Sequence, residues 1–569
     1  MNEGTRTLGL LRVFLAMLAL VTLGRAQTTQ SPLEKLPYSP GMLVARAVRA
    51  GRIQPQAANG LASGTNLLNC TPGPCVMPTS QASPAGDAHP VNTTPIVALP
   101  LSLNILLSGG NDYNCPNDLG FYITADTGAS WNQTCMGTAP GASSGDGGPG
   151  VGFDTNGIAF VSGIETLSSG GTEVVFERSS NYGSTWSAAQ VAVAPLFTGG
   201  VTDHDWLEID TNGGSPHLNC VYISTTQFDT SNDSTIAVAH SCDGGKTWTN
   251  VQVDSLQISP QTVDQFSDLA IQSNGTVYVS WMRCPETGKT GDCGGTQASM
   301  LISKSTDGGN TWSVPVVMAK VLLAADTCGG FFGCLPNTKE PLTNIPAISV
   351  DNSNRQHKGN VYAIMTTYNV RAKQLQVQVI TSSNGGTTWS KPVRVAPTAI
   401  RDEFFPWLTV NSVGKIGATW LDRRNDPANV SYQAYSALCH NGGQLFGATG
   451  TANTSGTAVT WATGDQFGDL SDGDTINVNG VNYIISTVNS VTSITLTTSA
   501  GTQTNVTFTG YSNVPLTSNL SNPDNDGFGG VYMGDYTGNY FQGHTIFASW
   551  MDSSNGSTMD DMAGGFVVQ

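Results

Sequence analysis

The sequence predicts an all-β protein assembled from repeated units, and three observations lead to that prediction. One eight-residue phrase recurs six times along the chain. The runs between its copies alternate apolar and polar residues, as half-buried strands do. The composition, with 66 glycines and only 11% charged residues among 569, is typical of an extracellular β protein with many turns.

The repeated phrase has a physical role as a turn. Its clearest copy, Ser305 to Trp312, reads Ser-Thr-Asp-Gly-Gly-Asn-Thr-Trp, and the other copies are Thr124–Trp131, Ser179–Trp186, Ser241–Trp248, Ser382–Trp389 and the degenerate Cys439–Phe446. Their Asp or Asn positions, 126, 181, 243, 307, 384 and 441, lie 55, 62, 64, 77 and 57 residues apart. The Asp or Asn accepts backbone amides, Gly permits a positive φ, and Trp holds the turn against its sheet. Each copy therefore predicts a β-hairpin, and the spacing is that of a propeller blade.

This phrase is the Asp-box, or BNR repeat, and the chain resembles the sialidase superfamily of β-propellers. The resemblance covers 89–446 and 513–569, where seven strand-rich units can be counted, six of them closed by a box. It implies an all-β, sialidase-like propeller of six or seven four-stranded blades. It also implies an activity directed at glycans, although the box itself builds turns and carries no chemistry.

The rest of the chain divides into three segments. Residues 1–26 are typical of a secretory signal: Arg6 and Arg12 precede a short apolar run, and cleavage is predicted after Ala26. Residues 27–88, rich in Pro, Gly, Ser and Ala, are predicted to be a linker or a wrapping arm. Residues 447–512 interrupt the last boxed unit and contain a hairpin signal at Asn479-Gly480, which predicts a small inserted β module.

Cysteine spacing and charge narrow the classes of function. Ten of the 11 cysteines fall into local pairs, which favours disulfides in a secreted protein, and Cys439 is left over. The pairs are Cys70/Cys75, Cys115/Cys135, Cys220/Cys242, Cys284/Cys293 and Cys328/Cys334. A formal charge of −17 argues against nucleic acid as a partner. No metal or cofactor site and no membrane span in the mature chain are predicted.

Candidate site residues follow from blade geometry. In a four-stranded blade the turns between strands 1–2 and 3–4 lie on one face, here named the box face, and the 2–3 loops and 4-to-1 connections lie on the other, the loop face. Function is expected on the variable loop face. Its candidates are the acids Asp203, Asp205, Asp264 and Glu403, the arginines Arg283, Arg371, Arg401 and Arg423, and Tyr536.

The sialidase resemblance gives these candidates roles. The carboxylate of a sialic acid would be bound by three arginines, Arg283, Arg371 and Arg401. Tyr536 would be the nucleophile, and an acid at 203, 205 or 264 would protonate the leaving oxygen. Asn344-Ile345-Pro346 stands where the family has Arg-Ile-Pro, so one expected arginine is replaced by asparagine.

Three functions remain open from the sequence. The first is an exo-α-sialidase-like glycoside hydrolase. The second is a non-catalytic propeller that binds a glycan, a glycoconjugate or a cell-surface protein, and the third is a structural extracellular protein. Local structural roles are also open: Asp422-Arg423-Arg424 could form an ion pair that braces a loop, and Asp203-His204-Asp205 could form a turn.

Overall fold

In the computed structural model, which describes residues 32–56, 70, 73–100, 102–289 and 291–568, the chain forms seven antiparallel sheets in a ring. The innermost strand of each sheet packs beside that of the next, and the seventh packs beside the first. The predicted all-β propeller is therefore confirmed, with seven blades. The predicted signal at 1–26 lies outside the described residues.

The first three blades take up the N-terminal half of the ring. Their strands are β3 (Val91–Asn92), β4 (Ile96–Ala98), β5 (Leu106–Asp112), β6 (Leu119–Thr124) and β7 (Asn132–Cys135) in the first; β8 (Ala142–Phe153), β9 (Ala159–Leu167), β10 (Thr172–Ser179) and β11 (Gln190–Val193) in the second; and β12 (Val201–Ile209), β13 (Val221–Phe228), β14 (Ser234–Ser241) and β15 (Thr249–Gln252) in the third.

The next three blades follow the same plan. Their strands are β16 (Thr262–Ile271), β17 (Val277–Pro285), β18 (Gln297–Ser305) and β19 (Val316–Leu322) in the fourth; β20 (Ala347–Val350), β21 (Val361–Asn369), β22 (Gln374–Ser382) and β23 (Val393–Arg394) in the fifth; and β24 (Glu403–Val410), β25 (Ile416–Asp422), β26 (Gln433–Cys439) and β33 (Val514–Pro515) in the sixth.

The seventh blade closes the ring by joining the two ends of the chain. It contains β34 (Gly538–Gln542), β35 (Thr545–Asp552) and β36 (Asp560–Val567), and its outer edge is covered by β1 (Cys75–Val76) and β2 (Ser80–Gln81). Cys75 pairs with Val567, and Ser80 pairs with Ala563. Two short N-terminal strands therefore cover the outer edge of the seventh blade.

A closed barrel is inserted between the third and fourth strands of the sixth blade. Its strands are β27 (Gly447–Ser455), β28 (Ala458–Gly464), β29 (Thr475–Val478), β30 (Val481–Ser490), β31 (Ser493–Leu496) and β32 (Thr502–Tyr511), with a 3₁₀ turn at Phe467–Asp469. It has its own apolar core, in which Phe467 packs against Phe508. The inserted barrel lies within the segment where the sequence predicts a small β module.

The repeated phrase forms the turn between the third and fourth strands of a blade. At Ser305–Trp312, the Asp307 carboxylate accepts the Thr311 amide at 2.9 Å and the Thr311 hydroxyl at 2.6 Å, and Ser305 Oγ accepts the Gly309 amide at 2.8 Å. The degenerate copy keeps this geometry with sulfur, since Cys439 Sγ accepts the Gly443 amide at 3.2 Å. The local signal thus specifies the same turn even where its first residue differs.

Box turns also contact the preceding blade, as two of them show. Arg178, the residue before the serine of one box, donates to the carbonyl of Gly244 in the next box at 2.8 Å, and Lys304 donates to Gly385 in the same way at 2.9 Å. Phe176 packs edge-on against Trp248, 5.2 Å between ring centres. The boxes therefore stabilise contacts between blades as well as turns within them.

The N-terminal arm contains the one α-helix of the described residues. Helix α1 (Pro40–Arg49) is capped by Ser39, whose Oγ accepts the Met42 amide at 3.3 Å, and Pro40 stands in its first turn. Seven of its residues are buried against the propeller: Pro40, Gly41, Met42, Leu43, Val44, Ala45 and Ala47. The helix lies on the loop face, and no helix of the described residues is long and apolar enough to cross a membrane.

The five predicted cysteine pairs all form disulfides: Cys70–Cys75, Cys115–Cys135, Cys220–Cys242, Cys284–Cys293 and Cys328–Cys334. Cys439 is free and buried. Disulfides of this number fit an extracellular protein.

Candidate functional site

Helix α1 covers the mouth of the central channel on the loop face. Its first turn contacts two carboxylates from different blades: Asp203 accepts the Ser39 amide at 2.6 Å and the Ser39 hydroxyl at 2.7 Å, and Asp535 accepts the Gly41 amide at 3.1 Å. A helix N-terminus favours negative charge, so the two acids and the helix stabilise one another. Burial raises the pKa of Asp203 and raises that of Asp535 to about 7.

The arm around the helix is attached at several further points. Lys35 forms ion pairs with Asp292 at 2.5 Å and Asp326 at 2.6 Å, and Arg49 pairs with Asp146. Tyr38 donates to Asn232 at 2.7 Å. These contacts reach several blades, so the arm is bound across the mouth rather than at one edge.

Tyr536 lies in the core below helix α1. Its hydroxyl donates to the Pro149 carbonyl at 2.7 Å, and its ring packs edge-on against Trp206 at 5.4 Å and against His204 at 5.7 Å. Burial raises its pKa well above the usual range. In this arrangement the phenol is a buried hydrogen-bond donor and has no exposed face.

Next to Tyr536, the side chains of Asp205 and His204 have polar atoms without a hydrogen-bond partner among the described residues. Asp205 accepts the Ser162 hydroxyl at 2.6 Å through one oxygen, and its other oxygen has no hydrogen-bond partner. Neither ring nitrogen of His204 has a hydrogen-bond partner in the described part of the chain. Burial raises the pKa of Asp205 to about 8 and lowers that of His204 to about 4. The triplet Asp203-His204-Asp205 lies at a bulge of β12, where His204 has a φ of 52°.

Asp264 and Arg283 are paired with each other. They face one another across β16 and β17, and the guanidinium binds both carboxylate oxygens at 2.6 Å each. Arg283 also binds Asp254 at 2.5 Å. Burial raises the pKa of Asp264 to about 6, against the opposing effect of Arg283. This arginine's guanidinium is thus held between two carboxylates of its own chain.

Glu403 and Arg423 also have internal partners. Glu403 binds Arg394 at 2.6 Å and accepts the Val377 amide at 2.9 Å, and burial raises its pKa to about 8. Arg423 is fully buried, 3.3 Å from Asp402, and burial lowers its pKa to about 10. Both side chains brace loops of the fifth and sixth blades.

Arg371 and Arg401 are the two predicted arginines outside ion pairs within the described residues. Arg371 is exposed on the β21–β22 loop, and Arg401 is half-exposed in the β23–β24 connection. Arg401 donates only to the carbonyls of Ile400 and Pro427, at 3.3 and 3.4 Å. Asn344, where the family has an arginine, bridges to Thr366 through two hydrogen bonds.

The channel below Tyr536 is open toward the box face. Trp206 and Trp407, 4.3 Å apart between ring centres, lie at its inner end, and its volume is about 200 Å³. Glu208, Asp268 and Tyr540 line its wall. These residues are not among the candidates from the sequence, because function is expected on the loop face and they lie toward the box face.

Two groups of described residues bring three metal-ligating atoms together. They are His217 with Cys220 and Cys242, and Asp326 with Cys328 and Cys334. In each group the two cysteines form a disulfide, so neither group offers a thiolate to a metal ion.

Comparison with solved structures returns propellers of glycan-processing enzymes at low similarity. They include the Hadza microbial sialidase Hz136 (15% identity, TM-score 0.38, 58% of this chain and 63% of that one), the intramolecular trans-sialidase of Ruminococcus gnavus (12%, 0.40, 61% and 93%) and the α-L-arabinanase of Penicillium chrysogenum (13%, 0.40, 64% and 99%). The chain therefore spans less than two thirds of the length of the Hz136 sialidase. No family model and no curated protein matches the sequence.

Proposed function

We propose that this protein is a secreted, non-catalytic β-propeller that binds carboxylate-bearing glycans at the rim of its loop face, through Arg371 and Arg401. The proposal rests on one observation. Among the described residues, Arg371 and Arg401 form no ion pair, and they lie on adjacent loops. A guanidinium binds a carboxylate through two parallel hydrogen bonds, which suits a sialic acid.

Contacts between the two loops support their acting together. The side-chain amide of Gln374 donates to the carbonyls of Ala399 and Arg401, at 3.4 and 3.3 Å, and so ties the β21–β22 loop to the β23–β24 connection. Val370 and Ile400, next to the arginines, are 66% and 69% exposed. A patch with two arginines and two exposed aliphatic side chains is unusual on a chain of charge −17, and it fits an anionic ligand with an apolar face.

The absence of catalysis is proposed because the other candidates are engaged elsewhere. Asp203 binds Ser39, Tyr536 binds the Pro149 carbonyl, and Arg283 binds two carboxylates. Opening this mouth would require removal of helix α1 and its ion pairs. Secretion rests on the predicted signal at 1–26 and is consistent with the disulfides.

The test is calorimetric titration of the mature chain with 3′-sialyllactose and with lactose. We expect binding of the sialylated sugar alone, and a loss of about tenfold in affinity for Arg371→Ala and for Arg401→Ala, since each removes a charge-assisted pair. Arg355→Ala is the matched control, because Arg355 is exposed on the box face. Equal affinity for both sugars, or unchanged affinity in both rim variants, would overturn the proposal.

A second candidate is an exo-α-sialidase whose site lies beneath helix α1. It is favoured by the unpartnered polar atoms there: one oxygen each of Asp205 and Asp535 and both nitrogens of His204. Tyr536 would attack the sugar, Arg283, Arg371 and Arg401 would orient its carboxylate, and Asp203, Asp205 or Asp264 would protonate the leaving oxygen. Turnover of a fluorogenic sialoside that is lost in Tyr536→Phe would establish this candidate.

A further inference from the structure

The channel that opens on the box face is a separate cavity from the covered mouth. Trp206 and Trp407 lie across its inner end and pack against Tyr536, whose other neighbours lie under helix α1. The indole of Trp206 is half-buried, so part of it remains accessible from the channel. A cavity of about 200 Å³ with an aromatic end is large enough for a small organic molecule.

The charge of the channel lining has one sign. Among the described residues that line it, Glu208 on β12 and Asp268 on β16 are the charged ones, and none is Lys, Arg or His. Asp268 is 1% exposed, and one of its oxygens accepts the Ile348 amide at 2.6 Å. Within the described residues, neither carboxyl group has an ion-pair partner, and that of Glu208 has no hydrogen bond. Acids as buried as Asp268 are normally paired, so its lack of an ion-pair partner within the described residues requires an explanation, whereas Glu208 is half-buried and lines the channel.

Three asparagine side chains of the lining bind backbone carbonyls. Asn539 donates to the carbonyls of Trp407 and Gly417, and Asn212 and Asn352 each donate to the carbonyl of Ile271. The two carboxyl groups and the hydroxyls of Tyr540, Thr211 and Ser349 are other polar side-chain groups of the lining. The cavity therefore offers negative charge and aromatic faces to an incoming molecule.

We propose that this channel binds a small organic cation, of the primary or quaternary ammonium class. The accessible part of the Trp206 indole, which packs against the buried Trp407, attracts a cation through its quadrupole, and the carboxylates of Glu208 and Asp268 balance the charge of that cation. An anion would meet repulsion here. A bare metal ion would find two carboxylates, since no described residue adds a third ligating atom within 4.8 Å.

Titration of the carboxyl groups gives the site a distinctive pH dependence. Burial, together with the charges of Asp268 and Asp210, raises the pKa of Glu208 to about 8. Burial also raises the pKa of Asp268 to about 8. The pKa of Tyr540 is raised by burial and by the charge of Glu208. Asp268 is therefore largely protonated in the empty channel near neutral pH, and the partly exposed Glu208 is protonated to a smaller extent. A bound cation favours their ionised forms, so binding releases protons and affinity rises as pH increases through about 8.

The test is titration of the mature chain with choline and with its neutral isostere 3,3-dimethylbutan-1-ol, monitored by tryptophan fluorescence and by calorimetry. We expect choline to bind at least about tenfold more tightly than the alcohol, and to bind more tightly above the acids' pKa than below it. This comparison needs no variant and does not depend on glycan binding at the loop face.

Variants then locate the site. Glu208→Gln and Asp268→Asn are each expected to weaken choline binding about tenfold and to reduce its pH dependence, while Asp524→Asn, an exposed acid outside the channel, leaves it unchanged. Failure to bind choline at millimolar concentration, equal affinity for the neutral alcohol, or full affinity in both channel variants would overturn the proposal.

Discussion

Ser39 and Asp203, 164 residues apart in the sequence, are joined by two hydrogen bonds of 2.6 and 2.7 Å. Through this pair the N-terminal helix covers the mouth where the sialidase resemblance would put a catalytic site.

Gly41→Ala should loosen helix α1. A Cβ at this position would lie 2.5 Å from the Asp535 carboxylate and 2.6 Å from the Tyr532 hydroxyl, so the helix would have to move. We expect a loss of about 1–3 kcal/mol in the free energy of unfolding, together with faster proteolysis of the arm. Gly213→Ala is the control, because a Cβ there meets no atom within 4 Å. Equal stability of the two variants would show that the helix does not pack closely.

Asp307→Ala should destabilise the fourth blade, whereas Asp307→Asn should be tolerated. The carboxylate accepts four bonds within its box, and asparagine already holds the same place at 181 and 384. We expect a loss on the order of 1 kcal/mol for alanine by denaturant unfolding.

The Asp307 carboxylate should also make the stability of the protein depend on pH in the acid range. Hydrogen bonds led by the Thr311 side chain lower the pKa of Asp307 to about 2. Its contribution to stability is therefore present above the unfolded pKa and is lost as pH falls through about 2. An alanine variant as stable as the asparagine variant would contradict this role.

One thiol per chain should react, and only after unfolding. Ten of the 11 cysteines form disulfides, and burial raises the pKa of the remaining Cys439 to about 12. We expect no reaction of the native protein with a thiol reagent near neutral pH and one equivalent in denaturant. Reaction in the native state, or more than one equivalent after unfolding, would show that Cys439 is accessible or that a disulfide is missing.

His440 should make docking of the inserted barrel depend on pH. It contacts Asp469 and, at 3.2 Å, Asp465 of that segment, and Lys415 of the sixth blade binds Asp469 at 2.8 Å. The bond to Asp469 raises the pKa of His440. Its stabilisation is thus complete below the unfolded pKa and is lost as pH rises through the folded one.

The measurement is the free energy of unfolding across neutral pH. We expect the decline with rising pH to be smaller in His440→Asn, whereas His544→Asn, an exposed histidine outside ion pairs in the described residues, should match the parent. A decline of the same size in His440→Asn as in the parent would rule out this histidine.

The fold could be predicted because its signals are local. The box at Ser305–Trp312 specifies its own turn through contacts within eight residues, and its six copies mark six of the seven blades, while the seventh blade has no box. Helix α1 was missed, although Ser39 before Pro40 is an N-cap signal that a search of the arm could have found. The predicted linker or arm therefore includes a helix.

The candidate site was harder to predict because its partners come from distant blades. The pairing of Asp264 with Arg283 follows from the strand register and could have been derived from the β16–β17 hairpin. The contact of Ser39 with Asp203 depends instead on the course of the whole arm. The role of Tyr536 was expected from the resemblance, and the sequence carries no signal that a helix covers this residue.

The most direct test of this account is a crystal structure of the mature protein with 3′-sialyllactose. We predict an intact trisaccharide whose carboxylate contacts Arg371 and Arg401, with helix α1 still bound to Asp203 and Asp535. A sugar bound against Tyr536, with helix α1 displaced from the mouth, would contradict the account and establish the hydrolase site in its place.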